Sequence, residues 1–515
     1  MKNVKNSKIA TALVVVTILS SCQGFIDKNV SPNLTSSNPP SLILSSIEGY
    51  LAFTMGSDLL RYSGLWSQQM AAQNGRQTEA YDLYILQPTE LNGVWRTNLY
   101  AGILADCEEI LKKDPATVHP HYFGIAKLIK AFTYTILVDN WGDVPYTQAI
   151  QGASGNFTPD VDNGQAIYTA MLALIDDAIV NLNTASSLAS VGADDIIYGG
   201  SQNIIRWIRF GNTLKLRMYL HLANVSGFDT SVITNFVNNT PATNFMTAIA
   251  DDFQGRFDVI PQRQNPVHQF ILSRTDDICT SATIINLMNS KSDPRRSTYF
   301  TPMPFSPALL ATPPAGTTGY VGLANGTSNF GLRNNLSRLH TYVRGAVTTT
   351  TPPVGPNLAV AGLAYNGGAF INMLTFAEYN FIRAELALRY GVPGVANTFY
   401  TAGITASMAD AGVSSAAAAY LATPAGTLTG TIQQQLQQII EEKYVANFMV
   451  ATEPWSDWRR TGFPQLSQVP LGLNPGNGGS VPRVLLYPQQ EVDANPKLTQ
   501  RTNLSDRKVF WDTRP

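Results

Sequence analysis

Apolar residues recur every three or four positions in several stretches of this chain, the spacing that places them on one face of an α-helix. Ile167, Met171, Ile175, Ala178 and Leu182 form one stripe, and Trp207, Phe210, Leu214, Met218 and Leu222 form another. Shorter stripes run through Phe123, Ala126, Ile129 and Phe132, through Phe376, Tyr379, Ile382 and Leu386, and through Ile432, Leu436, Ile440 and Tyr444. The expected fold class is mainly α. Pairs of these helices separated by turns suggest helical repeats, although no sustained repeat period can be traced.

Between about residues 251 and 368 the periodicity gives way to Pro, Gly, Thr and Asn with scattered aromatics, as in Thr312-Pro313-Pro314-Ala315-Gly316 and Thr351-Pro352-Pro353. Long irregular segments of this kind inside a compact domain are usually functional loops or disorder. A second Gly/Pro-rich stretch runs from Gly472 to Gly479.

The N-terminus has a different pattern. Lys2, Lys5 and Lys8 precede an apolar run from Ile9 to Leu19, followed by Ser20, Ser21 and Cys22. A positive start, a short apolar stretch and small residues before a cut site define a secretory signal, and the run is too short to span a bilayer. A cysteine directly after the small residues marks a lipoprotein signal, so residues 1–21 are expected to be removed and Cys22 to be acylated. At about 0.8 kcal/mol per buried methylene, more than one acyl chain holds a protein on outer-membrane lipid without crossing it. Gln23 stands where an aspartate would favour inner-membrane retention. Residues 22–40, with Ser31-Pro32-Asn33 and Ser36-Ser37-Asn38-Pro39-Pro40, lack apolar periodicity and are read as a tether.

Composition narrows the function classes. A net charge of -1 with 14% charged residues gives no electrostatic footprint for nucleic acid. Besides Cys22, only Cys107 and Cys279 remain, far apart and without CxxC spacing, and both are read as buried thiols. The five histidines include no HExxH, and GxSxG, P-loop and dinucleotide fingerprints are missing from the sequence. Neither a catalytic metal nor a cofactor is expected, and no hydrolytic site can be assembled from motifs.

Two constellations could be chemical or structural. In LVDNWGDVPY (137–146), Gly142 and Pro145 stop a helix while Asp139 and Asp143 can cap or bond turn amides. A glycosidase pair would need a defined separation across a sugar ring, so the corner-forming role is preferred. In WSDWRRTGFP (455–464), arginine between tryptophans is read as locking a helix end against its neighbour, in preference to a sugar platform. Trp207 is assigned to the core.

Several of these strings, in order, resemble the SusD/RagB family of nutrient-binding outer-membrane lipoproteins. The resemblance runs from Phe25-Ile26-Asp27 and Ser31-Pro32-Asn33 through LVDNWGDVPY, FGNTLKLRMYLHLAN (210–224), TFAEYNFIRAELALR (375–389) and FYTAGITASM (399–408) to WSDWRRTGFP, Pro482-Arg483 and Tyr487-Pro488. It implies one SusD-like domain over residues 41–515, with tetratricopeptide-like helix pairs and long irregular ligand-binding loops. It also implies a non-enzymatic role: capture of a glycan, or alternatively a peptide, on the cell exterior and delivery to a SusC-like TonB-dependent transporter. A surface glycoside hydrolase is the less favoured alternative.

Sugar recognition needs flat aromatic faces against pyranose C–H surfaces together with amides and an arginine for the hydroxyls. The segment from Tyr62 to Asn98 offers that mixture, and Trp66, Arg76, Tyr81, Trp95 and Asn98 are the candidate ligand-binding residues. Trp95 and Asn98 also resemble the Trp-x-x-Asn spacing of carbohydrate-binding relatives. Packing among the first helices fits each of these residues equally well.

Overall fold

The computed structural model describes residues 38–72, 77–113, 119–185, 191–200, 203–274, 277–302, 319–326, 336–349, 364–469 and 479–515. Cys22, Arg76, the two Pro-rich stretches at 312–316 and 351–353, and residues 472–478 lie outside them.

The architecture is mainly helical. The principal helices are α1 (Pro40–Met55), α2 (Asp58–Trp66), α3 (Ala105–Leu111), α4 (Pro120–Trp141), α5 (Gly164–Asn183), α6 (Ile204–Leu222), α7 (Ala282–Ser290), α8 (Phe376–Tyr390), α9 (Ala396–Asp410), α10 (Ile432–Ala446) and α11 (Glu453–Thr461). Their ends follow local chemistry. Pro120 opens α4, and Gly142 closes it at φ +74, a conformation costly for other residues. The Asn163 side chain accepts from the amides of Gln165 and Ala166 at 3.0 and 3.2 Å to start α5. Thr431 and Gln434 form a reciprocal capping box at the start of α10.

The sequence stripes become the packing faces. Ile167, Met171, Ile175, Ala178 and Leu182 of α5 are all buried, as are Trp207, Phe210, Leu214, Met218 and Leu222 of α6. Helix α5 lies along α4, and α8 along α9, the helix pairing expected of the fold. A Cβ on Gly124 of α4 would come within 2.6 Å of Leu182, so glycine there permits the close approach of α5. Helix α5 is long and apolar enough to cross a membrane by length and composition. Its apolar stripe is nevertheless turned into the core, and Asp176 and Asp177 sit on its outer side. The stripe assigned to α10 begins one turn late: Ile432, its first residue, is 61% exposed.

The described residues of the segment 251–368 are more ordered than their composition suggests. Its described residues contribute to three two-stranded antiparallel sheets: β1 (Met70–Ala72) pairs with β3 (Ile278–Thr280), β2 (Phe253–Arg256) with β6 (Phe370–Leu374), and β4 (Val347–Thr349) with β5 (Ala364–Tyr365). Helix α7 begins where the Ser281 hydroxyl accepts from the Thr283 amide at 3.1 Å. These elements are only two to nine residues long, too short to imprint a periodic pattern on the sequence.

Cys107 and Cys279 are both buried and are not joined in a disulfide, and burial pushes the Cys107 thiol well above its usual range. Truncating the fully buried Ile175 to alanine should lower the unfolding free energy by about 2–4 kcal/mol. Ile432→Ala should change it by no more than about 0.5 kcal/mol. Urea denaturation followed by circular dichroism distinguishes the two.

Candidate functional site

Several charged residues inside the helical scaffold are paired across helices. Arg217 of α6 donates from Nε and Nη2 to the Glu378 carboxylate of α8, at 2.8 and 2.6 Å. Lys443 of α10 donates to Glu453 at 2.8 Å and to Asp457 at 3.1 Å, both on α11. Arg460 reaches back to Glu385 of α8, and its guanidinium holds that carboxyl down at about 2 against the effect of burial. On α11, Arg459 lies 3.7 Å from the Trp455 ring centroid and 4.7 Å from that of Trp511. Its Nη1 donates to the carbonyl of Asp139 at 2.6 Å. WSDWRRTGFP is therefore a lock between helices, as its composition suggested.

His221 is buried in the same network, with Nδ1 3.7 Å from Asp139 and Nε2 3.6 Å from Glu453. Burial opposes its charge, but the two carboxylates prevail and raise its pKa to about 9. Asp139 also accepts from the Trp511 indole at 2.8 Å and from the Tyr168 hydroxyl. Its Oδ1 is thus committed to the scaffold, and Asp143 caps Gly164 of α5 at 2.8 Å. The two aspartates of LVDNWGDVPY serve the corner, as expected from their spacing.

The sequence candidates separate in the structure. Trp66 is fully buried, donating from Nε1 to the Tyr81 carbonyl at 3.0 Å with its ring edge-on to Trp455 at 5.2 Å. Tyr81 is 6% exposed, and its hydroxyl donates to Glu90 at 2.7 Å. Both belong to the packing at the C-terminal end of α2, where Trp66 is the last residue. Asn98 is half-buried and lies outside the cavity described next.

Trp95 does reach a cavity. It sits on a π-helix, Gly93–Leu104, a rare form in which backbone bonds run i→i+5 and which recurs at functional sites. That register stacks residues five apart, bringing Trp95 and Tyr100, and likewise Arg96 and Ala101, to one side. They form one wall of a groove of about 480 Å³ whose other wall is the loop from Pro145 to Pro159, with Glu491 at one end. Gln148, Gln151 and Asn156 supply amides, Ala149 and Ile150 apolar surface, and Arg96 and Lys112 cationic groups. The volume and the mixture suit a small-molecule site.

The floor of the groove is rigid. Trp95 is 2% exposed, edge-on to Trp141 at 5.1 Å and to Tyr487 at 6.2 Å, so only its margin reaches the cavity. The Trp141 indole donates to Leu486 O at 2.8 Å, and the Tyr100 hydroxyl donates to Pro145 O at 2.8 Å. The loop wall is pinned by Asp162, which accepts from the amides of Tyr146 and Thr147 at 2.8 and 2.9 Å. Ile150 holds φ +61, a left-handed conformation rare for a β-branched residue and the kind of strain that collects at ligand sites. Phe157, 75% exposed, stands beside Gly152 at the rim. Burial raises the Glu491 carboxyl, while bonding from Trp95 and the charge of Arg96 oppose the rise.

A family model described as "starch-binding associating with outer membrane" matches residues 32–488. The chain belongs to the SusD-like family. Solved structures agree in fold. A chitin-binding SusD homologue from Flavobacterium johnsoniae is 24% identical, covering 92% of this chain and 99% of that one, with a TM-score of 0.72. SusD homologues from Bacteroides uniformis and Bacteroides ovatus are 22% and 23% identical, each covering 92% of this chain and 99% of its own, with TM-scores of 0.71. No curated protein matches the sequence. These relatives are described as binding proteins or SusD homologues and not as enzymes, in keeping with the expected non-enzymatic role.

Sequence reasoning missed most of this groove. Tyr100 lies off any stripe of three-to-four spacing, and the loop 145–160 carries no motif. The one available signal was the concentration of Gln, Asn and Gly directly after a helix stop.

The buried His221 generates a pH prediction for this SusD-like protein. With its folded pKa raised to about 9, its contribution is complete below the unfolded value of about 6.5 and is lost as pH rises through 9. The unfolding free energy should fall by roughly 1–3 kcal/mol across that window, and the fall should flatten in His221→Gln when urea midpoints are compared between about pH 7 and 9.

Proposed function

We propose that this protein is a cell-surface lipoprotein, anchored through acylated Cys22, that captures glycan oligomers in the Trp95–Tyr100 groove and passes them to a SusC-like TonB-dependent transporter. The observation that carries the reading is the lining of the groove. Half-buried Tyr100 offers aromatic surface to pyranose C–H groups, with exposed Phe157 beside Gly152 of the lining, and Gln151, Asn156 and Arg96 offer hydrogen bonds to hydroxyls.

The family description names starch, and one relative of similar fold is described as chitin-binding. Both are neutral glucose-based polymers, which the near-neutral, amide-rich groove suits better than a charged peptide. Trp66 and Tyr81 are buried and lie outside the lining of the groove. Trp95 forms the floor, and the tether of residues 22–40 lets the receptor stand off the membrane.

Calorimetry of the purified mature protein against maltooligosaccharides and chitooligosaccharides tests the proposal. One of the two series should bind without product formation. Arg96→Ala and Gln151→Ala, exposed residues of the lining, should each weaken that binding by about 1 kcal/mol, roughly fivefold, with unchanged stability. Trp95→Ala should instead lower stability by about 3–5 kcal/mol, because the ring is packed on three sides. Undiminished binding in both lining variants would remove the groove from consideration.

A further inference from the structure

A second cavity, of about 260 Å³, lies across the Asp143–Asp162 segment from the groove. It shares an aromatic partition with the groove, since Tyr487 lines this cavity and meets Trp95 edge-on. Its chemistry is different. Lys497, Arg501, Arg507 and Lys508 all line it, together with Asp143 and Asn163 at the start of α5.

Arg501 is the informative residue. It is 6% exposed, its guanidinium lies 4.1 Å from the Tyr487 ring centroid, and Nη2 donates to the carbonyl of Trp141 at the end of α4. That contact accounts for a helix-capping role but uses only part of the fork. Nε and Nη1 are buried with no acceptor. Donors left unsatisfied on a buried cation are costly, so a native arrangement normally supplies them with an acceptor.

The acidic groups nearby do not supply it. Asp143 directs Oδ1 to the Gly164 amide at 2.8 Å. Asp506 accepts from the amide and hydroxyl of Thr502, both at 3.0 Å, although it feels the charges of Arg507 and Arg501. Asp160 is taken by Lys497 at 2.6 Å. Among the described residues, Arg501, Arg507 and Lys508 form no ion pair with any carboxylate. Arg507 adds backbone strain, with φ +53 in the left-handed region, as happens where surroundings fix a residue for a purpose.

We propose that this cavity is an oxyanion subsite, with Arg501 as the buried donor and Arg507 and Lys508 as cations at the rim, receiving a sulfate, phosphate or carboxylate group. A planar guanidinium fork suits all three. The shared chemistry has two sources, a free anion or an acidic group carried on a saccharide, and the experiment separates them.

The mature protein is titrated calorimetrically with sodium sulfate, sodium phosphate, galacturonate and a sulfated disaccharide, with ionic strength held constant by sodium chloride. Saturable binding of at least one is expected. Arg507→Gln/Lys508→Gln should weaken it at least tenfold without changing the thermal midpoint, and Arg501→Gln should abolish it. The surface pair keeps the test independent of folding, since Arg501 also braces α4. Tighter binding of an acidic sugar than of the bare anions assigns the group to a saccharide, and tighter binding of a bare anion assigns the site to a free ion. Heats reproduced by sodium chloride alone, or affinity unchanged in the surface pair, would overturn the proposal. Neutral-oligosaccharide binding in the groove should be the same in the surface pair, Arg507→Gln/Lys508→Gln, so failure here leaves the groove reading standing, and the reverse also holds.

Discussion

Lys443 can be buried among Glu453, Asp457 and Glu378 only if all four stay in place, and the rest of the molecule is arranged around that requirement. A lone charge in a protein interior costs several kcal/mol, and breaking a buried pair by removing one partner typically costs 3–5 kcal/mol. Such pairs add little to net stability, but they allow few alternative registers. Arg217 fixes α6 to α8, Lys443 fixes α10 to α11, and Arg460 fixes α11 back to α8. Arg459 then carries the same constraint to the end of α4 through Asp139.

The constraint reaches the groove through that helix end. Gly142 turns the chain out of α4, Trp141 packs edge-on to Trp95, and the following loop becomes the opposite wall. The groove is therefore built on a corner whose position is set by ion pairs deep in the scaffold. The π-register of Gly93–Leu104 completes it by turning Trp95 and Tyr100 to the same side. Such prior ordering would lower the conformational entropy that binding a flexible oligomer costs.

The scaffold was largely legible in the sequence because it rests on local repetition. The stripes of α5 and α6 mapped residue for residue onto buried faces, and Trp207 proved fully buried as assigned. The stripe of α10 misled only at Ile432, where the helix starts before it meets a neighbour. The site was far less legible. Trp66 and Tyr81 have the right chemistry for a sugar but are buried at the end of α2, and burial is a property of tertiary contacts that a mixture of residue types does not reveal. Tyr100, Gln148, Gln151 and Asn156 were not singled out, because a π-register and a strained loop leave no periodic trace. The ion network was equally hidden: Arg217 and Glu378 are partners separated by 161 positions.

Hydrogen–deuterium exchange of the mature protein with and without a saturating oligosaccharide tests the central claim, that a preordered groove beside a locked scaffold takes the ligand. Protection should appear in residues 93–101 and 145–159, while exchange in α8 and α10 stays the same in both states. Protection confined to other segments, or exchange that changes throughout α8 and α10 on binding, would contradict the account.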